Sequence, residues 1–468
     1  MIKISFYLKT LIFFCLSLCV GLDYAQAQVG LEHDGRHIYE TNRAMVYQIR
    51  VIDLKSQEKS TIGSGFQVAP RGLFITNFHV ISDFVDKPAH YSIEYWTEAG
   101  RVGTLTLLDF DIIYDLAVLA DPTQSHTPKE TPKETQEETN SSPFLTLHTA
   151  PLRKGDRLFS MGNPHDLGML IVEGTYNGLS EHSFYENIIF SGSLNPGMSG
   201  GPTFNAAGHV IGVNVSRHGE ALGYLVPAQR IKDLLDQTKT SLPLSKEDYH
   251  NRPDLIKIFS PSRILSNTPE EYWNKKIERQ LAYNSAYVRH LLFQNSDIEK
   301  EKIGSLHVPK NLSPAFKCWG RSQSERDNDL YASVSLSCES ADEIYIPNAQ
   351  TGKIRYHIHY LSTKQLNPFA FRALYQNRFD RLWNIRYQNP DHVSPYACHS
   401  AFIDLAQNQW KSHLCTRQYL KYPALFDASF VSAKIGEKQE GYLITINFHG
   451  FLRDDILSIT QDFLEQFE

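Results

Sequence analysis

The chain carries no surplus of positive charge. Its 46 lysines and arginines are outnumbered by 52 aspartates and glutamates, giving a formal net charge of −6. The basic footprint of a nucleic-acid binder is therefore missing, and the scattered acidic residues serve solubility. No C-x-x-C pair occurs, which removes the commonest metal and redox spacing, and neither a metal nor a cofactor is expected. Long apolar runs are scarce as well. LIFFCLSLCVGL, at 11–22, falls short of the roughly 20 apolar residues that cross a bilayer. What remains is ordinary for a globular protein: 468 residues, 41% hydrophobic and 21% charged, enough for two or three domains.

That short apolar run has a function of its own. Lys3 and Lys9 precede it and Ala25-Gln26-Ala27 follows it. A positive start, an apolar stretch and a small-residue exit describe a secretory signal peptide cleaved after Ala27. Leu18 disfavours a lipoprotein site at Cys19. The expected location is outside the cytoplasm, periplasmic or secreted, with no stable membrane span once residues 1–27 are removed. Export leaves four of the six cysteines, Cys318, Cys338, Cys398 and Cys415. An even number in an oxidising compartment suggests disulfides. Three pairings exist, and proximity in sequence favours Cys318–Cys338 with Cys398–Cys415.

Residues 40–235 read as many short strands separated by turn residues, among them MVYQIRVID, GLFITNFHV, DLAVLA, DRLFSMG and HVIGVNVS. Such spacing argues for an all-β barrel or sandwich. One segment, 122–143, holds no apolar residue and repeats TPKET in tandem, so it reads as a flexible linker inside the β region. Pro227 is placed in the first turn of a short helix bearing Ile231, Leu234 and Leu235. A polar stretch then marks a boundary near 240. Beyond it, Thr268-Pro269-Glu270-Glu271 opens a helix of some twenty residues, with Trp273, Ile277 and Leu281 on one face. Strands LYASVSLSC and KIRYHIHYLS, a hairpin through residues 427–451 and a last helix over DDILSITQDFLEQF follow. The expected organisation is a signal peptide at 1–27, a β domain at 28–240 and an α+β domain at 241–468.

The stretch NPGMSGGPTF, 195–204, sets Ser199 among three glycines. A serine is a weak nucleophile unless a base takes its proton as it attacks. Among upstream histidines, His79 has the most telling setting, at the tip of the strand that ends in Thr76-Asn77-Phe78. Asp115, just before the apolar strand LAVLA, is placed to fix an imidazole. The chain order His, Asp, Ser is one of the known orders of the catalytic triad. Each residue alone has a bland role in a turn or a cap; their joint occurrence in a β-rich region favours catalysis. His357 and His359 would share one strand face, and an exposed polar face is the better reading than a metal site.

Residues 60–235 resemble the chymotrypsin-like serine peptidases, and more closely the bacterial high-temperature-requirement (Deg-type) branch. The matching pieces are GSGF, GLFITNFHV, DIIYDLAVL, LNPGMSGGPTFNAAGHVIGVNV and LGYLVPAQRI. The resemblance implies two six-stranded β-barrels with the site between them, and places the linker near the crossover. It implies that the N–H groups of Gly197 and Ser199 form an oxyanion hole and that Ser193 lies at the base of the primary specificity pocket. Val215, Ser216 and Arg217 would pair with substrate backbone. A small, uncharged Ser193 points to small or aliphatic residues before the cleaved bond. The C-terminal half departs from that branch, with no carboxylate-binding loop of the PDZ kind; an accessory role in binding substrate or a protein partner is expected. The activity implied is endopeptidase action on proteins or peptides. The alternatives are a non-catalytic adaptor on a protease scaffold and an esterase using the same three groups.

Overall fold

The computed structural model describes residues 34–70, 72–123, 143–215, 222–241, 269–293, 298–324, 330–382, 391–436 and 438–468. The segment expected to be a signal peptide, residues 124–142 of the expected linker, Ser216, Arg217 and Thr268 lie outside them. After helix α1 (Asp34–Asn42), twelve strands close into two barrels. The first is built from β1 (Val46–Asp53), β2 (Lys59–Ala69), β3 (Leu73–Thr76), β4 (Tyr91–Thr97), β5 (Gly100–Asp111) and β6 (Leu116–Ala120). Helix α2 (Phe78–Asp86) interrupts it between β3 and β4. The second contains β7 (Arg157–Gly162), β8 (Leu170–Leu179), β9 (Ile188–Phe190), β10 (Pro202–Asn205), β11 (Val210–Val215) and β12 (Gly223–Pro227). Both are antiparallel throughout, and closure leaves neither with a free edge. The linker joins β6 to β7 and so falls at the crossover, as expected from the resemblance.

The two barrels share a core. Phe66, Ile75 and Val118 of the first pack with Phe159, Met161 and Phe204 of the second, all fully buried. Helix α3 (Ala228–Ser241) adds Ile231 and Leu234 to the same cluster. Pro227 itself ends β12 rather than opening the helix.

The remaining described chain is α+β. Helix α4 (Pro269–Leu292) leads to a small hairpin, β13 (Lys300–Ile303) and β14 (Leu306–Pro309). A seven-stranded antiparallel sheet follows. Its members are β15 (Phe316–Gln323), β16 (Ala332–Ser340), β19 (Lys353–Ser362), β20 (Ala397–Leu405), β21 (Asn408–Gln418), β22 (Leu425–Lys434) and β23 (Glu440–Leu452). The short hairpin β17 (Ile344–Ile346) and β18 (Ala349–Thr351) projects between β16 and β19. Helix α5 (Pro368–Arg381) sets Phe379 against Val431 and Leu443 on one face of the sheet. The opposite face carries Tyr356, Ile444, Ile446 and Phe448 against α4 and helix α6 (Arg453–Leu464). Cys318 faces Cys338 across β15–β16, with an S–S distance of 2.02 Å and Cα atoms 4.1 Å apart. Cys398 faces Cys415 across β20–β21 at 2.01 Å and 4.0 Å. Each disulfide thus joins the outermost hairpin at one edge of the sheet.

His357 and His359 share the α5 side of β19, but they are half-buried rather than exposed, with rings stacked 6.1 Å apart. Burial first, then the neighbouring His359 and Arg355, pushes His357 down to about 4. Among the described residues, no three His, Cys, Asp or Glu side chains group as a metal site would require. No described helix is long and apolar enough to cross a membrane.

Helix α4 ties the sheet to the first barrel. Spanning 24 residues, it is about 36 Å long. Its first half sets Trp273, Ile277 and Leu281 against Phe78, Ile81 and Phe110. Its second half carries Val288 and Leu292 into the core of the seven-stranded sheet. Gln280 links the two by hydrogen bonds, accepting from the Ile112 N–H at 3.0 Å and donating to the Phe110 carbonyl at 3.1 Å.

Candidate active site

Strand β3 ends at Thr76, and Asn77 turns the chain into α2, so His79 is the second residue of a helix rather than a strand tip. The first N–H groups of a helix have no partner within it and need acceptors from outside. Here Asp115 supplies them. Its carbonyl accepts from the Phe78 N–H at 3.2 Å and from the Asn77 side-chain amide at 2.8 Å. Its carboxylate accepts the His79 backbone N–H at 2.8 Å through Oδ1, and Oδ2 lies 2.6 Å from His79 Nδ1. Asp115 holds φ at +54°, a left-handed conformation that aspartate tolerates better than most residues. A contact to both the backbone and the ring of one histidine fixes the imidazole orientation. Burial disfavours the imidazolium, but the charge and hydrogen bond of Asp115 outweigh it, and the pKa of His79 is raised.

Ser199 reaches the same seam from the second barrel, in the loop between β9 and β10, and is almost fully buried. Its carbonyl accepts the Ser64 N–H of β2 at 2.7 Å. This close approach makes glycine sterically necessary at three positions. A Cβ on Gly200, at φ +84°, would stand 2.2 Å from the Ser64 carbonyl and 3.0 Å from the Asn77 nitrogen. On Gly201 it would stand 2.2 Å from the Met161 carbonyl. On Gly197, at φ +98°, it would stand 2.4 Å from the Asn163 carbonyl. Gly63 completes the packing: a Cβ there would meet the Val80 side chain at 2.5 Å and the Ser199 carbonyl at 3.1 Å. The serine loop therefore abuts the first turn of the helix that bears His79.

Two residues that were not singled out from the sequence hold this loop. The Ser64 hydroxyl donates to the Gly197 carbonyl at 2.7 Å and accepts the Asn163 N–H at 3.0 Å. Asn214, fully buried, donates to the Met161 and Met198 carbonyls at 2.9 and 3.2 Å. Its own backbone carbonyl accepts the Gly200 N–H at 3.0 Å. Both lie within the matching pieces GSGF and VIGVNV, which was their only signal.

The specificity residues are placed in part. Ser193 is exposed, between buried Gly192 and Leu194, and Gly223 packs on Leu194 so closely that a Cβ would fall 2.8 Å away. Val215 is the half-buried last residue of β11, paired with Tyr224 of β12. A separate cleft of about 650 Å³ lies between α1 and the first barrel, lined by Tyr39, Gln48, Arg50, Trp96 and Asp166; neither His79 nor Ser199 borders it.

Comparison with known proteins agrees with this geometry. Residues 63–213 match the family described as trypsin-like peptidase domain. A probable periplasmic serine endoprotease DegP-like of Chlamydia pneumoniae is 30% identical over 195 residues, covering 39% of this chain and 36% of the relative. Serine endoprotease DegS of Salmonella typhimurium is 31% identical over 193 residues, covering 38% and 49%. The chain thus spans between a third and a half of the length of these relatives. A solved serine endoprotease from Yersinia pestis aligns at a TM-score of 0.35 and 23% identity, covering 43% of this chain and 65% of that one. The family match ends at Val213, before the seven-stranded sheet begins. Residues 63–213 thus match the trypsin-like peptidase domain, and two closed six-stranded barrels with a serine loop at their seam are the architecture that match implies.

Proposed function

We propose that the protein is an exported serine endopeptidase. In this reading residues 1–27 are its signal peptide, 28–240 its protease domain and 241–468 an accessory domain. Ser199 attacks the scissile carbonyl while Nε2 of His79 takes its proton and then returns it to the leaving amine. Asp115 holds the Nδ1–H tautomer and stabilises the imidazolium formed during attack. The N–H groups of Gly197 and Ser199 receive the oxyanion, each worth about 3–4 kcal/mol of transition-state stabilisation. The observation that carries the reading is the double grip of Asp115 on His79 beside the serine loop. No metal or cofactor enters any step.

The relatives' names describe serine endoproteases, one of them periplasmic, which supports protein substrates and an exported location. In this reading Ser193 forms the base of the primary pocket and Val215 the start of the substrate-pairing edge, with a preference for small or aliphatic residues before the cut. The test is Ser199→Ala assayed on an unfolded protein, a fluorogenic peptide and a matched ester. Loss of all three with retained fold supports the assignment; undiminished peptide hydrolysis overturns it. Ester cleavage without any peptide cleavage by the parent enzyme would make it an esterase, and cleavage of neither would leave an adaptor.

A further inference from the structure

The C-terminal half does more than lean on the barrels: it reaches the imidazole. Strand β17 alternates buried Ile344, exposed Tyr345 and buried Ile346. The two isoleucines enter the apolar cluster beneath α2, with Phe78, Ile81 and Val85. Tyr345 is thereby turned away from that cluster and stands edge to face with His79, ring centroids 6.2 Å apart at 71°. Tyr345 keeps 37% of its surface open to solvent, and its hydroxyl has no hydrogen-bond partner among the described residues. A large aromatic side chain exposed beside a reacting imidazole offers apolar surface to whatever enters the cleft.

Strand β17 is held on both sides, so this position is built rather than incidental. Before it, the Asp342 carboxylate accepts from the Ser183 hydroxyl and the Phe184 N–H, in the β8–β9 loop of the second barrel, both at 2.5 Å. After it, Asn348 donates to Asp86 at the end of α2 at 3.4 Å, and Lys421 pairs with the same carboxylate at 2.6 Å. Residues 342–348 therefore bridge the β8–β9 loop of the second barrel and α2 of the first, beside His79. The anchored loop feeds β9; β9 pairs with β12, and β12 with the edge that finishes at Val215. In the endopeptidase reading that edge pairs with the acyl half of a substrate.

We infer that Tyr345 is a specificity-determining residue of the peptidase, forming with His79 the pocket for the substrate side chain second from the cut on the acyl side. The inference rests on the endopeptidase reading above. An edge-to-face corner of two rings suits a branched aliphatic side chain, which would contact both, and gives nothing to glycine.

The experiment compares kcat/KM for fluorogenic peptides identical except for leucine or glycine at that position, in the full chain and in Tyr345→Ala, Tyr345→Thr and Tyr345→Phe. Threonine suits an exposed strand site and serves as the second truncation. Each enzyme is first titrated with a fluorophosphonate, so that failure to label the parent protein counts against the endopeptidase reading and not against this one. The expected result is a leucine-to-glycine ratio that falls about tenfold in the alanine and threonine variants and is retained in the phenylalanine variant. An unchanged ratio, or an equal loss on both peptides, overturns the assignment: the first makes Tyr345 a bystander, the second a support for the imidazole.

Discussion

Replacing Asp115 by asparagine tests the centre of the site while sparing its fold. Asparagine is nearly the same shape and, like aspartate, accepts the left-handed backbone that this position holds at φ +54°. Its carbonyl can keep the bond from the His79 backbone N–H, now 2.8 Å long. The amide group then faces Nδ1, where the carboxylate oxygen stands at 2.6 Å. An amide donates, so Nδ1 becomes the acceptor and the ring proton moves to Nε2, the nitrogen that must receive the proton of Ser199. The wrong tautomer is expected to lower kcat by about 10⁴, equivalent to about 5.5 kcal/mol.

The pH profile gives a second reading from the same variant. Activity needs neutral imidazole, so it falls as pH drops through the pKa of His79. Burial pulls that pKa down and Asp115 pulls it up, with a net rise in the native protein. Without the carboxylate only burial is left, and the acid limb of kcat/KM should move to lower pH while the plateau falls. A fluorogenic peptide assayed from pH 4 to 9 measures both. A plateau within tenfold of the parent, or a limb that does not move, would refute the role assigned to Asp115.

Three further outcomes follow from the packing. Gly197→Ala should lower kcat by about 10²–10³, because its methyl would stand 2.4 Å from the Asn163 carbonyl and force the N–H from its place; titrated steady-state rates check this. Trp273→Ala should cost about 3–5 kcal/mol, since the ring is buried between α4 and Phe110 at a centroid distance of 5.3 Å, and denaturant unfolding measures it. Asp427→Asn should cost about 3–5 kcal/mol by stranding Arg417, whose Nε and Nη2 now donate to Asp427 at 2.9 and 2.7 Å. Burial alone would raise the Asp427 carboxyl, but His449, Tyr419 and Arg417 outweigh it and hold it below the usual range. A depressed carboxylate stabilises the fold above its unfolded value near 3.9 and loses that contribution as pH falls through its lower folded value. Melting temperatures of the parent should therefore drop more steeply than those of Asp427→Asn in that acid window.

The barrels were legible because their strands are short, apolar and closed by glycine-rich turns, and because the candidate triad sits in recognisable local patterns. Helix α2 was not, for a physical reason. Phe78, Val80, Ile81 and Val85 are buried between the first barrel and α4, so FHVISDFVD opens as an apolar continuation of the strand before it, and its polar stripe of His79, Ser82, Asp83 and Asp86 spans only two turns. Strand β20 was missed for the opposite reason. It lies at the edge of the sheet with nearly every residue exposed, and an edge strand open on both faces shows no alternation. The paired cysteines were readable from spacing alone, since each pair closes a local hairpin. Tyr345 carried no signal at all. Its significance comes from a contact between residues 266 positions apart, which only the docking of the two halves creates.

The most direct measurement is to react the full-length protein with a fluorophosphonate and map the adduct by peptide mass spectrometry. Catalysis by the proposed triad predicts one phosphonylated residue, Ser199, and loss of that adduct in His79→Ala with the fold intact. An adduct on a different serine, or undiminished labelling of Ser199 without the imidazole, would contradict it.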